Sequence, residues 1–529
     1  MKYVAPILSV VFVFGAGAFP LAAQPSKSVV FDVDGAKRFP ISPYIYGTNM
    51  PDWEGRGKRL TLVRWGGNRT TCYNWENNAS NAGADWRHQN DAYLDRFDVP
   101  GNPIRKLINK AHAADAAVIV TVPMIGYVAA DKRGDGDVGQ TPNYLQTRFR
   151  VSVPRKNAGF DSMADPRDER VYQDEFVHWV ERNFPDGRRG GSKAIFYALD
   201  NEPDLWSATH ARVHPQKVRY DELLRLTLDY AAAIKEQAPQ SLVFGPASYG
   251  WHGYTTLQDA PDRNNRDFLD FYLQQLRAAE QQQKRRLVDV LDLHWYPEAR
   301  GGGVRVCEDD AKPETAAARI QAPRSLWDPT YTEQSWITQH STKGPIRLLP
   351  RLREKIAQHY PGTRIALTEY YYGGGADISG ALAQADVLGI FGREGVFAAA
   401  LWHLGKSDHH MIYAAFDMYR NYDGQGGAFG PIGLAAQSSD PARASIYASQ
   451  NQQGQVVLVA INKVTEDLTV RINLRHCPAA AKAQVYRLTA ADVKPLAIGR
   501  IDVARFGQIE TRLPAYSVST LVVGAAGKP

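Results

Sequence analysis

Cysteine is scarce in this 529-residue chain: Cys72, Cys307 and Cys477 are the only three, and they lie far apart. A dense disulfide framework is therefore excluded, and stability must come from a large buried core, with one bridge left open. No Cys-x-x-Cys pair or His/Cys cluster suggests a zinc site. An excess of one charge is also missing, because 62 Lys+Arg face 56 Asp+Glu for a net charge of +6. Basic residues do not run together, whereas a nucleic-acid surface gathers them, so no nucleic-acid partner is expected. Repeats and long low-complexity linkers are absent. Past the N-terminus, no apolar stretch approaches the ~20 residues of a membrane span.

The N-terminus has a different character. Lys2 supplies a short positive segment, Val4 to Phe14 is almost continuously apolar, and Ala16-Gly17-Ala18 and Leu21-Ala22-Ala23 offer small-residue cleavage sites. This pattern is that of a secretory signal peptide over residues 1–23, cut after Ala23. The mature chain is expected to be secreted (extracellular or periplasmic), monomeric, and off the membrane once cleaved.

Aromatic residues are plentiful, with 26 Tyr, 19 Phe and 11 Trp. They can fill a core, and they also suit a groove that stacks on the flat faces of sugar rings. Eight short apolar runs recur at 44–49, 60–68, 116–124, 194–203, 242–248, 289–297, 364–373 and 396–405. Continuous rather than alternating apolarity marks parallel strands buried on both faces. Between them lie helix-like segments such as 216–237, with Val218, Leu223, Leu226, Tyr230 and Ile234 on one face after Pro215, and 267–285. Strand and helix alternating eight times predict a (β/α)₈ TIM-like barrel over 44–430. From 431 to 529 the runs alternate and no helix intervenes, which predicts an antiparallel β-sandwich. Residues 24–43 carry one early strand, SVVFDVDG, expected to join that sandwich.

Active sites of such barrels sit at the C-terminal ends of the strands, and glycosidic bonds are cut by paired carboxyl groups. Two residues meet both conditions: Glu202 in ALDNEPDLW ends the fourth run and Glu369 in ALTEYYYGG ends the seventh. Asn201 could hydrogen-bond a sugar hydroxyl beside the nucleophile, which makes Glu202 the general acid/base and Glu369 the nucleophile. A tyrosine hydroxyl or Arg64 could favour the ionised form of Glu369, while Glu202 must hold a proton. Arg64, Trp65, Asn201, Trp206, His294, Tyr296 and Trp402 stand at or just beyond strand ends and are candidate substrate or supporting groups. Core packing is the competing role for each tryptophan. His409 and His410 are expected in a loop.

The segments VRWGGNRTTCYNWENNASNAGADW (63–86), DNEPDLWSATHARVHP (200–215) and LTEYYYGG (367–374) resemble the hallmark segments of glycoside hydrolase family 44. YIYGTNM, GYVAADK, VYQDEFVHW, DLHWYP and ALWHLG fit the same pattern, so the likeness spans nearly the whole mature chain. The resemblance implies a barrel with a β-sandwich and a retaining endo-β-1,4-glucanase active on carboxymethylcellulose and often on xyloglucan. It also implies Glu202 as proton donor and Glu369 as nucleophile, in agreement with the roles above.

Family members have been seen with calcium, so a structural calcium is possible here, but its ligands are unknown. The acidic DKRGDGD turn (131–137) lacks EF-hand spacing and is expected to be solvated, and nothing local shows ligation by Glu76 or Asp174. Catalysis needs no cofactor. The triplets at Asn68 and Asn78 match a glycosylation acceptor, yet a glycan on Asn68 would block the barrel mouth. Competing readings are a retaining xylanase or arabinofuranosidase on the same scaffold, an inverting enzyme, and a carbohydrate-binding protein without catalysis.

Overall fold

A computed structural model describes residues 28–524 apart from 54, 56–58, 161–163, 166–169 and 405–407. The expected signal peptide lies outside the described residues. Eight parallel strands close into a barrel in chain order: Gly47–Thr48, Leu62–Trp65, Ala117–Val122, Ile195–Leu199, Val243–Ser248, Val290–Trp295, Arg364–Tyr370 and Ala398–Leu401. Each falls inside one of the eight apolar runs. Six of them, all but Leu62–Trp65 and Arg364–Tyr370, are buried at every position, as strands covered on both faces must be.

The floor of the barrel is a plug of side chains that includes Leu62, Ile119, Phe196, Phe244 and Val290, with Phe196 edge-on to Tyr44 at 5.2 Å. The mouth is polar. One irregularity matters there: along the sixth and seventh strands, Leu293 pairs with Leu367 but His294 pairs with Glu369. The extra residue, Thr368, bulges. Strict alternation would send Thr368 inward and Glu369 outward; the bulge lets both face the barrel, which is how such irregularities re-aim a side chain.

The helices follow the expected periodicity but start where capping allows. The 216–237 segment forms a helix only over Tyr220–Gln237, because Asp262 from a distant loop accepts the amides of Tyr220 (2.9 Å) and Asp221 (3.2 Å). Phe268–Gln283 begins at its own cap, where the Asp267 carboxylate accepts from Asp270 N.

The other body is a nine-stranded sheet that curls around its own core of Val29, Phe31, Leu458, Val470, Ile472 and neighbours. Val29–Pro40 is its one strand from the N-terminal side, antiparallel to Ile432–Ser438 and parallel to Leu468–Arg475. In Leu468–Arg475 buried and exposed positions alternate, as on a half-covered sheet. Val456–Asn462 is buried throughout, since its second face packs against the barrel helix Ile378–Arg393. Lys463 extends from the end of this strand to Asp386 of that helix at 2.6 Å, both side chains 1% exposed, and Tyr447 donates to the other Asp386 oxygen at 2.7 Å. The three cysteines are free thiols.

Removing one partner of a buried ion pair strands the other charge, at a cost of about 3–5 kcal/mol. Lys463→Met is therefore expected to lower the unfolding free energy read from a denaturant titration by that amount, with a matching fall in midpoint, and Lys463→Met with Asp386→Leu to recover most of it. An unchanged midpoint in the single variant would show that this pair does not join the two bodies.

Candidate active site

Glu202 follows the fourth strand, and its backbone is left-handed at φ 43°, with its amide bonded to Ala247 O at 3.0 Å. Such a conformation is unfavourable for a side-chain-bearing residue and is held by its surroundings. It sends the carboxyl over the barrel, where Glu202 Oε1 lies 2.8 Å from His294 Nδ1. Glu369, turned inward by the Thr368 bulge, lies opposite. An oxygen of Glu202, one of Glu369 and a nitrogen of His294 all fall within 4.8 Å of one another.

The two carboxyls have different surroundings. Glu369 accepts from Arg64 Nη1 at 2.7 Å and from the Tyr296 hydroxyl at 2.8 Å. Arg64 is buried, and its guanidinium also donates to Asn49 (3.1 Å) and, through Nη2, to Asn201 Oδ1 (2.8 Å). Glu202 has no such cation in contact; burial is the main cause that pushes its carboxyl up to about 7, with Arg64 opposing and Asp85 adding to the rise. His294 is fully buried, and burial drives it down to about 3, so it is neutral.

The twin glycines of the second run have separate tasks. A Cβ on Gly66 would sit 2.3 Å from the Arg64 guanidinium carbon, and one on Gly67, at φ +89°, 2.3 Å from the Trp402 ring. Their absence lets Arg64 turn into the mouth and Trp402 close over it. Gly67 N also donates to Asn201 Oδ1 at 3.2 Å, which fixes that amide with its NH₂ toward Asn68 and the cavity.

The cavity above the pair measures about 420 Å³ and is lined by Asn201, Glu202, Tyr296, Glu369 and Trp402 of the expected residues. Arg64 and His294 lie just beneath and act through the carboxyls. Two expectations fail. Trp206 is fully buried against His214 at 5.3 Å, and Trp65 packs on Tyr73 at 5.6 Å; neither lines the cavity. The short helix after Glu202 turns Trp206 into the core, and strand alternation turns Trp65 away from the side on which Arg64 points. The tyrosine that holds Glu369 is Tyr296, not one of Tyr370–Tyr372, whose hydroxyls bond Gln384, Asp309 and Trp295 instead. His409 stacks on His403 at 3.9 Å and does not line this cavity, and His410 opens the helix His410–Arg420 instead of lying in a loop.

A family model for glycoside hydrolase family 44 matches residues 79–299. A β-mannanase/endoglucanase A of Caldicellulosiruptor saccharolyticus is 39% identical over 91% of this chain, and an endoglucanase A of Paenibacillus lautus 42% over 84%. The chain spans 38% and 65% of those two relatives' lengths. The structure of a Paenibacillus polymyxa family 44 xyloglucanase with xyloglucan matches at a TM-score of 0.90 and 38% identity, over 94% of this chain and 100% of that one. The chain belongs to glycoside hydrolase family 44.

This family 44 chain builds much of its cleft from residues without a motif. Trp251, Trp336, Glu298 and Arg305 line it, three of them from the 298–345 excursion, whereas the described residues of 125–165 add none to the lining. Gly67, Asn68, Asp85, Trp295 and Leu404 also line it and do lie inside the quoted segments. In the acidic turn, Asp131 and Asp135 pair with Arg148 and Asp137 with Arg212, so its carboxylates already have cations and do not fit calcium. Near Asp174, Lys156 Nζ lies 2.8 Å from Glu175 and supplies positive charge there. Asn78 is buried and its amide donates to Phe97 O and Val99 O, so it cannot carry a glycan.

Glu202, with its pKa near 7, holds its proton below that pH and loses it above. The basic limb of kcat/KM against pH is expected near 7, and Glu202→Gln should abolish the limb together with most activity. Tyr296→Phe removes a hydrogen bond to a charged group worth ~1.5–3 kcal/mol, so steady-state kinetics should show kcat/KM roughly tenfold lower or worse. Wild-type-like kinetics in that variant would remove Tyr296 from the machinery.

Proposed function

We propose that this protein is a secreted, retaining endo-β-1,4-glucanase that hydrolyses β-1,4-glucans, including xyloglucan. One observation carries the reading: carboxyl oxygens of Glu202 and Glu369 face each other within 4.8 Å at the barrel mouth. Retaining glycosidases hold their carboxyls about 5–5.5 Å apart, and inverting ones about 6.5–9.5 Å, to admit a water. The endoglucanase and xyloglucanase relatives support the substrate class. Secretion is supported by the N-terminal sequence, and among the described residues no helix is long and apolar enough to cross a membrane.

The chemistry follows from the surroundings. The Glu369 carboxylate, held by Arg64 and Tyr296, attacks the anomeric carbon while Glu202 gives its proton to the leaving glycosidic oxygen; a glycosyl ester forms on Glu369 and the C–O bond breaks. Glu202, now anionic, takes a proton from an incoming water, whose oxygen displaces Glu369. The Asn201 amide reaches toward a sugar hydroxyl next to the reacting carbon. Trp251, Trp336 and Trp402 provide apolar faces for sugar rings. No step uses a metal, and Arg64 beside Glu369 already supplies the positive charge there.

The test is hydrolysis of carboxymethylcellulose, xyloglucan, xylan and arabinan, with the anomer of the first product read by NMR. We expect β-glucan hydrolysis with a β-anomer first, and loss of ~10³-fold or more in Glu369→Ala. An α-anomer first would replace retention by inversion, and activity on xylan or arabinan alone would replace the substrate class.

A further inference from the structure

Below the catalytic pair, three buried polar atoms have no hydrogen-bond partner in the protein: Arg64 Nε, His294 Nε2 and Asp292 Oδ2. They belong to one place. Asp292 and His294 are two apart on the sixth strand and face the same side, into the barrel. Arg64 reaches in from the second strand and acts electrostatically on both. The other Asp292 oxygen is taken by the Thr368 hydroxyl at 2.6 Å, on the residue that forms the bulge. The charged and titratable groups facing Asp292 are Arg64, Glu369, and, from elements outside the barrel wall, Tyr272 and Tyr254.

The inventory of protons narrows what fits between them. A neutral imidazole has one N–H. His294 Nδ1 faces two carboxyl oxygens, Glu202 Oε1 at 2.8 Å and Glu369 Oε2 at 3.4 Å, so the hydrogen belongs on Nδ1. His294 Nε2 is then a bare acceptor, Arg64 Nε–H a permanent donor, and Asp292 Oδ2 an acceptor. The Cα atoms of residues two apart on a strand are separated by about 6.6 Å, a spacing at which side chains on the same face can share one bridging molecule with contacts of ~2.8 Å. Buried polar atoms are rarely left unpaired, and a small molecule with two donors and two acceptors meets all three needs.

We propose that a structural water sits beneath the catalytic pair, accepting from Arg64 Nε–H and donating to His294 Nε2 and Asp292 Oδ2, and that Asp292 is thereby a positioning residue for the general acid. The water fixes the His294 tautomer with Nδ1–H toward Glu202 Oε1. The proton that Glu202 transfers is then confined to Oε2, the oxygen that faces the cleft. Without the water the imidazole turns over its proton to Nε2, bares Nδ1 toward Glu202, and draws the acid's proton away from the substrate side. This extends the assignment of Glu202 as acid/base and rests on it.

Three measurements test it. A high-resolution crystal structure of the full chain, without substrate, should show a water within hydrogen-bond distance of all three atoms, and ¹⁵N NMR should show His294 protonated at Nδ1. Asp292→Asn keeps the acceptor for Thr368 and offers an NH₂ to the water; it should retain kcat within roughly threefold. Asp292→Leu displaces the water; kcat should fall roughly tenfold or more with KM unchanged, and the basic limb should move to higher pH, since Glu202 loses the N–H that stabilises its anion. A dry site, an Nε2–H tautomer in the wild type, or an unshifted pH profile in Asp292→Leu overturns the proposal. If Asp292→Leu does not fold, the wild-type water and tautomer still decide. Because both are read in the resting protein, they stand or fall apart from whether any β-glucan is cleaved.

Discussion

The contact between Arg64 and Glu369 organises the barrel mouth. A guanidinium taken out of water must be repaid by partners, and this one is only 1% exposed. Its two terminal nitrogens are spent on Glu369, Asn49 and Asn201, which arrive from the seventh, first and fourth strands or their ends. One planar donor thus sets the mutual position of Glu369, the amide beside Glu202, and the strand ends that carry them. It also separates the characters of the two carboxyls. Glu369 is held by a cation and a phenol, whereas Glu202, beside a neutral imidazole and largely buried, is raised to about 7. Two like groups in one cavity thereby have unlike surroundings.

The rest of the fold serves that arrangement. Gly66 and Gly67 clear space for Arg64 and Trp402, the Thr368 bulge turns Glu369 inward, and the left-handed backbone at Glu202 carries its carboxyl across. The nine-stranded sheet contributes nothing to the cavity lining. It covers the helix Ile378–Arg393, which backs the seventh strand through the Gln384–Tyr370 bond, and the buried Lys463–Asp386 pair ties the two bodies at that helix. Packing and cavity therefore meet on one strand, with Tyr370 facing out to the helix and Glu369 facing in to the cavity.

Much of this was legible in the chain. Eight runs of uninterrupted apolarity, set between helical periods, mark parallel strands covered on both faces; the change to alternation after residue 430 marks a separate sheet, although Val456–Asn462 within it is buried on both faces against the barrel helix. The pair Glu202 and Glu369 was visible because each ends such a run. Arg64, Asn201, Tyr296 and Trp402 were found by the same rule and come together around the pair. The rule failed for Trp65 and Trp206, since a strand end says which residues are near the mouth and not which way each points.

Sequence alone determined the barrel, the order of its strands, the sheet that follows, and the two carboxyls, because local periodicity and composition encode which faces are buried. Tertiary structure decided the rest. Whether Glu369 faces in or out depends on one bulged residue, whether a tryptophan lines the cavity or the core depends on a backbone turn, and the orphaned atoms of Asp292, His294 and Arg64 acquire meaning only when strands two and six face each other across the closed barrel. Those are properties of distance between residues remote in the chain, and no linear pattern carries them.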